Sequence, residues 1–230
     1  DIFIENFRPG RLEAWGVDCE ELLEKNPRLI IVRLTGFGQT GPYSEQPGFG
    51  TLAESMSGFA EMTGDPDGHP TLPQFALADH IAAFYATQAA MFAIYNRDVV
   101  GTNRGQIIDV SIWECMFSVL GPNALVYQMT GSAPTRMGNR ATTHAGRNTY
   151  KTKDDRWAAI SAPTQTIVAR LFDAMGQPDL IEDSRFDTNA NRLKNVEELD
   201  QIISAWFASY NRDDAVEILR KHEVAVAPVY

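Results

Sequence analysis

The fold class predicted by the sequence is α/β, with a larger α/β unit followed by a smaller α+β one. Three observations predict it. A strand, a helix and a strand-like β-branched run follow one another near the start, the order of an α/β unit. Two long apolar helical stretches then flank a short strand at residues 105–110. From Gly131 the composition turns to Ser, Pro, Thr, Gly, Asn and Arg, and beyond it hairpin-like strands mix with helices.

The elements follow in order. Residues 2–4 read as a short buried strand, and Asn6-Phe7-Arg8-Pro9-Gly10 as a turn. Asp18 starts a short helix carrying Leu22 and Leu23, which Asn26-Pro27 stops. Leu29-Ile30-Ile31-Val32 has the continuous apolar character of a buried parallel strand. The stretch from Thr35 to Gly50 is rich in Gly, Pro, Ser and Gln, and reads as a long loop; such loops inside compact domains are usually functional. A helix is predicted over residues 52–62, followed by the turn Gly64-Asp65-Pro66-Asp67-Gly68. Residues 76–95 form the strongest helical pattern. Their apolar side chains lie on several sides, which predicts a buried helix. A strand over 105–110 and an apolar helix over 112–129 complete the larger unit.

Residues 131–149 read as a linker. After it come strands at 150–153 and 157–161, helices near 164–175, 195–209 and 212–221, and a last strand at 224–229. The expected domains are therefore 1–130, a linker at 131–149, and a small α+β domain at 150–230. Asp1 opens directly on a strand and Tyr230 follows one closely, so the chain is expected to lack both ends of a longer protein, and any targeting signal with them.

The 230 residues carry a net charge of −10, which argues against nucleic acid or an anionic membrane surface as partner. No run approaches the roughly 18 apolar residues of a membrane span. The two cysteines, Cys19 and Cys115, are far apart and in no Cys-x-x-Cys pattern, as in a reduced, cytoplasmic protein. The four histidines, His69, His80, His144 and His222, have no metal-ligand spacing, so no metal is expected.

Gly36-Phe37-Gly38-Gln39-Thr40-Gly41 matches the dinucleotide fingerprint letter for letter and follows a strand. The fingerprint also needs a helix opening at its third glycine to hold the pyrophosphate. Pro42 and Pro47 bracket a polar stretch without helical periodicity, so a mobile glycine-rich loop is the better reading. Asp79 stands in the first turn of an otherwise apolar helix. The commoner use of such an aspartate is capping. The same physics suits a nucleophile, because the helix dipole favours a negative charge there. His80 points about 100° away from it, so spacing does not make an Asp–His dyad.

These residues resemble the family III CoA-transferases, the CaiB/BaiF family that includes formyl-CoA transferase, carnitine CoA-transferase and α-methylacyl-CoA racemase. The resemblance is carried by Asp1 to Gly10, Asn26 to Ile30, Gly36 to Pro42, Met56-Ser57-Gly58, Thr63-Gly64, Pro66-Asp67-Gly68, Leu77-Ala78-Asp79, Gly105-Gln106 and Asp109-Val110-Ser111. It continues through Gly138-Asn139-Arg140, Arg147-Asn148, Tyr150-Lys151-Thr152 and Asp183 to Phe186. It implies a Rossmann-like large domain, a small α+β domain, two linkers and an interlocked homodimer. It implies acyl-CoA and a small carboxylic acid as substrates, with coenzyme A as substrate and no prosthetic group. Asp79 takes the place of the catalytic aspartate, and Asn6, Phe7 and Arg8 that of the segment lining the CoA pocket, with Arg8 and Arg11 placed to meet phosphate. Gly36, Gly38, Phe49 and Gly50 fall in the active-site loop.

Three positions depart from the family pattern. Racemases place a His–Asp pair where Phe49 and Gly50 stand. Many transferases have a carboxylate at the Gly50 position; Glu54, one turn on, is the candidate to substitute for it, but a helix-surface glutamate is the better reading. Ala14 stands where relatives often carry an arginine for CoA phosphate. The readings are a CoA-transferase first, then a 2-methylacyl-CoA racemase or epimerase, then a non-catalytic CoA-binding protein.

Overall fold

The computed structural model describes residues 1–230, which divide into two compact units, Asp1–Arg136 and Met137–Tyr230. The first unit is built on a three-stranded parallel sheet. Strand β1 (Ile2–Glu5) leads through the short helix α1 (Arg11–Ala14) and α2 (Cys19–Lys25) to β2 (Ile30–Thr35). Asp18 caps α2 by accepting from the N–H groups of Glu20 and Glu21, as its position at the start of an apolar-periodic run requires. Next come α3 (Gly50–Met56), α4 (Phe59–Met62) and α5 (Leu77–Ile94), which runs into a π-helical turn at Tyr95–Val99. Strand β3 (Ile107–Ser111), α6 (Ile112–Ser118) and α7 (Asn123–Thr130) complete the unit.

Strand β2 is central and pairs in parallel with β1 on one side and β3 on the other. It is covered on both faces, which explains its unbroken apolar run. Ile30 and Val32 pack with Ala53, Ala78, Ala82 and Met116, from α3, α5 and α6. Ile31 faces the other way, against Leu12 and Cys19.

The structure corrects four expectations here. Strand β1 is an edge strand, not a buried one: Ile4 is 69% exposed, because within this unit no helix covers that side. The predicted helix over 52–62 is two helices. Gly58 breaks it with φ near +94°, a left-handed conformation that ends α3 and opens α4. The apolar stretch 112–129 is likewise split, at Gly121-Pro122. Helix α5 is not buried all round. Its alanines Ala78, Ala82, Ala90 and Ala93 face the core, whereas Phe84 is 75% and Phe92 65% exposed. Small residues let the helix approach the sheet closely, and its large apolar side chains are left on the outer face.

In the second unit an antiparallel sheet of β4 (Arg147–Lys151), β5 (Trp157–Ser161) and β6 (Ala225–Pro228) carries α8 (Gln165–Ala174), α9 (Asn189–Lys194), α10 (Val196–Phe207) and α11 (Arg212–Lys221). Strand β4 opens at Arg147, inside the stretch read as a linker, and Ala145 is buried in this unit's core. Hydrogen bonding orders that stretch in place of apolar bulk. Asp200 accepts from Arg140 Nε at 2.8 Å, Asn148 Nδ2 at 3.1 Å and Tyr150 Oη at 2.6 Å. No helix is long and apolar enough to cross a membrane.

Candidate active site

Parallel strands deliver their loops to one edge, and ligands of open α/β sheets bind beyond the carboxyl ends of the strands. At that edge β1 turns at Asn6–Gly10, where Gly10 has φ +79° and Arg8 O accepts from Arg11 N at 3.0 Å. The turn is held from beneath by a buried carboxylate. Glu5 Oε2 accepts from Phe7 N at 2.8 Å, and its Oε1 from Arg33 Nε at 2.6 Å. Arg33 Nη1 reaches Glu13 Oε1 at 2.9 Å. Burial alone would lower the Arg33 pKa, but the hydrogen bonds it donates to Glu5 and Glu13 outweigh that and leave the guanidinium above its ordinary value.

Asn6, Phe7, Arg8 and Arg11 are brought together on one open cavity of about 810 Å³, which Ala14 and Trp15 also line. Neither Arg8 nor Arg11 has a carboxylate partner within ion-pair distance. Phe7 and Trp15 meet edge to face at 4.9 Å, and the Arg11 guanidinium lies 5.8 Å from the Trp15 ring centre. Trp15 escaped the sequence reading; its signal was an aromatic four residues beyond Arg11, which places the two on one helical face.

The loop after β2 is pinched at its base. A Cβ on Gly36 would lie 2.4 Å from Gly48 Cα, so only glycine lets the two backbones meet. Gly38, with φ +86°, donates its N–H to Thr35 Oγ1 at 3.0 Å, and Gln39 N donates to Asp109 Oδ2 at 2.8 Å. No helix opens at Gly41, and the next begins at Gly50, so the chain lacks the pyrophosphate-holding helix of a dinucleotide fingerprint. Gly36, Gly48 and Phe49 share a smaller cavity of about 140 Å³ with Asn6, Phe7 and Arg8.

Asp79 lines neither cavity, yet it lies next to the loop's end. It is exposed in the first turn of α5, and its carboxylate makes no hydrogen bond. A Cβ built on Gly50 would fall 2.1 Å from Asp79 Oδ2, so the aspartate fills the space a side chain at 50 would take. His80 turns its Nδ1 to the carbonyl of Ala76 at 2.6 Å, away from any pairing with Asp79. Glu54 corrects the sequence reading. It is buried, 3% exposed, and its Oε1 accepts from Ala78 N at 3.1 Å. The capping role expected of a first-turn aspartate thus falls to a residue of another helix.

A parallel α/β sheet with an unbonded carboxylate at a helix start, beside a glycine-pinched loop and an arginine-bearing turn, defines an α/β protein with a candidate active site at the carboxyl ends of its strands. The family model for CoA-transferase family III matches residues 1–230, and the chain belongs to that family. It is 40% identical over 230 residues to the succinyl-CoA–D-citramalate CoA-transferase of Chloroflexus aurantiacus, covering 100% of this chain and 57% of that protein. It is 31% identical over 231 residues to the succinate–glutarate CoA-transferase of Agrobacterium fabrum, covering 56% of it. The crystal structure of a CaiB/BaiF family protein from Brucella suis superposes with a TM-score of 0.84 at 34% identity, over 100% of this chain and 60% of that one. The chain therefore spans less than two thirds of the length of these relatives.

Proposed function

We propose that the protein to which this chain belongs transfers coenzyme A from an acyl-CoA donor to a carboxylic acid, with Asp79 as nucleophile. The observation that carries this reading is the free Asp79 carboxylate, exposed at the start of α5 and seated against Gly50. Its oxygen attacks the thioester carbonyl carbon, the C–S bond breaks, and CoA leaves as thiolate with a mixed anhydride on Asp79. The thiolate then attacks the aspartyl carbonyl, the donor acid departs as carboxylate, and an aspartyl thioester remains. The acceptor carboxylate attacks that thioester and again expels the thiolate. Thiolate attack on the acceptor's acyl carbon gives the new acyl-CoA and restores Asp79. Splitting one exchange into covalent steps lowers each barrier, and backbone N–H donors stabilise the tetrahedral oxyanions.

Asn6, Phe7, Arg8 and Arg11 hold the CoA portion, the arginines meeting its phosphates. Gly36, Gly38, Phe49 and Gly50 form the loop over the reacting centre. The acids named for the relatives (succinate, citramalate, glutarate) are dicarboxylic, and the substrate class proposed here is the same. The first unit is the large, Rossmann-like domain of an interlocked homodimer, a reading supported by the exposed Phe84 and Phe92 on α5. A reducing, cytoplasmic setting agrees with two buried free thiols. Racemisation needs a second proton carrier opposite the first, and Phe49 carries no proton.

The test uses the full-length protein, a panel of dicarboxylic acceptors and succinyl-CoA as donor. Wild type should exchange CoA between acids and accumulate an enzyme-bound thioester that hydroxylamine cleaves. Asp79→Ala should do neither. An Asp79→Ala variant that keeps most of its transfer rate would remove the proposal, as would α-carbon deuterium exchange without any acceptor.

A further inference from the structure

We infer that Glu54 is the positioning residue for Asp79, freeing the nucleophile by capping the helix in its place. The inference rests on the reading of Asp79 as nucleophile. Gly50 and Glu54 stand one turn apart on α3, and residues at i and i+4 share a helix face. The first turn of α5 lies on that face, with Asp79 on Gly50 and the Ala78 amide on Glu54.

Three of the first four amides of α5 have partners. Leu77 N donates to Phe75 O at 2.7 Å, His80 N donates to Ala76 O at 3.0 Å, and Ala78 N donates to Glu54 Oε1 at 3.1 Å. Helix α5 has no side-chain cap from its own N-cap residue, Ala76. Asp79 is at the third helical position, from which a capping carboxylate reaches back to the N-cap amide, here that of Ala76, and Asp79 makes no such bond. An unpartnered first-turn amide such as Ala78 N–H attracts nearby carboxylates, and Asp79 is the one on its own helix. Glu54 takes that donor from the side, across 24 residues of sequence, and leaves the Asp79 oxygens without a partner.

Burying Glu54 is not a neutral choice. A carboxylate taken out of water is destabilising unless it is paired or hydrogen-bonded. Glu54 has no cationic partner within ion-pair distance, and its compensation is one amide and the positive end of the α5 dipole. An apolar side chain of the same volume would fill the site at lower cost, so the acceptor oxygen is what the position retains.

The experiment compares Glu54→Gln, Glu54→Met and Glu54→Asp with wild type and Asp79→Ala, all in the full-length protein. Glutamine keeps the acceptor oxygen in place and should hold kcat within about threefold of wild type. Methionine removes the acceptor, and aspartate withdraws it while keeping the charge. Each should lower kcat by about 10–100-fold, the scale of a 1 Å misplacement, with KM for acyl-CoA nearly unchanged and hydroxylamine-labile thioester reduced in step. Aspartate also guards against a methionine variant that fails to fold. The inference is overturned if methionine and aspartate keep wild-type kcat, if glutamine is as impaired as methionine, or if KM rather than kcat moves. Should Asp79→Ala remain active, it is the nucleophile reading that fails; an inactive Asp79→Ala beside unimpaired Glu54 variants fails this inference alone.

Discussion

Asp79 occupies the volume that any side chain at Gly50 would need: an ideal Cβ there stands 2.1 Å from Oδ2 and 2.9 Å from Cγ of the aspartate. Gly50 has no left-handed φ and is the first residue of α3, so its backbone accepts alanine without strain. Alanine is favoured over glycine inside a helix by about 1 kcal/mol. At this first helical position the overlap with Asp79 offsets that gain, so Gly50→Ala should leave the melting temperature nearly unchanged. It should also push the Asp79 carboxylate aside and lower CoA exchange by about 100-fold. Thermal melts and an exchange assay on the same preparation check this. Wild-type turnover in Gly50→Ala would show that the close approach has no bearing on catalysis.

The Glu5–Arg33–Glu13 group is the support under the Asn6–Gly10 turn. Arg33 side-chain exposure is 10% and that of Glu5 is 1%, so removing the guanidinium leaves a carboxylate buried without its partner. Breaking such a pair costs about 3–5 kcal/mol. Arg33→Met should lower the urea midpoint accordingly. Glu5→Gln is milder and keeps an acceptor near Phe7 N. In the full-length enzyme it should raise KM for acyl-CoA more than it lowers kcat. Unchanged urea midpoints for Arg33→Met would refute the claim that the pair supports the turn.

Much of the first unit was legible because local signals agree with one another. The Asp18 cap, the Asn26-Pro27 stop and the Ile30–Val32 run all act within a few residues. What failed depends on contacts that sequence does not display. Helix α5 is apolar all round, which says that it is covered but not by what; within this unit only its alanine side is covered. The break at Gly58 needed a φ near +94° that the Ser-Gly pair only hints at. Glu54 looked like a surface residue because its partner lies 24 positions on, in another helix. Gly50 looked like a missing acid, and only geometry shows that Asp79 fills its place. Asn6, Phe7, Arg8 and Arg11 were singled out through family resemblance and line one cavity, whereas Trp15 was added only by the shape of that cavity.

Both thiols should be silent in the folded protein. Burial raises Cys115 to about 11, with Glu114 adding to it, and burial also raises Cys19. The thiolate is the reactive form, so little of either is available near neutral pH. A disulfide reagent at pH 8 should label neither native cysteine and both in denaturant. Because each folded pKa lies above the unfolded one, each contributes stability that is intact below about pH 8.5 and declines above it. Rapid stoichiometric labelling of the native protein would contradict this.

Tyr150 and Asp200 make the sharpest pH prediction. The Tyr150 hydroxyl donates to Asp200 Oδ1 at 2.6 Å, and burial first, then the Asp200 charge, drives its pKa far above the ordinary range. The unfolded tyrosine loses its proton near pH 10, while the folded one keeps it. The native state then binds more protons than the unfolded state, so stability is full below about pH 10 and falls as pH rises past it. Tyr150→Phe removes that contribution together with one hydrogen bond to a buried carboxylate, at a cost of about 1–3 kcal/mol at neutral pH. Urea midpoints taken from neutral pH into the alkaline range should fall more steeply for wild type than for Tyr150→Phe, and the two curves should converge. Parallel curves would mean that Tyr150 ionises as freely folded as unfolded, and that its bond to Asp200 does not anchor β4 to α10.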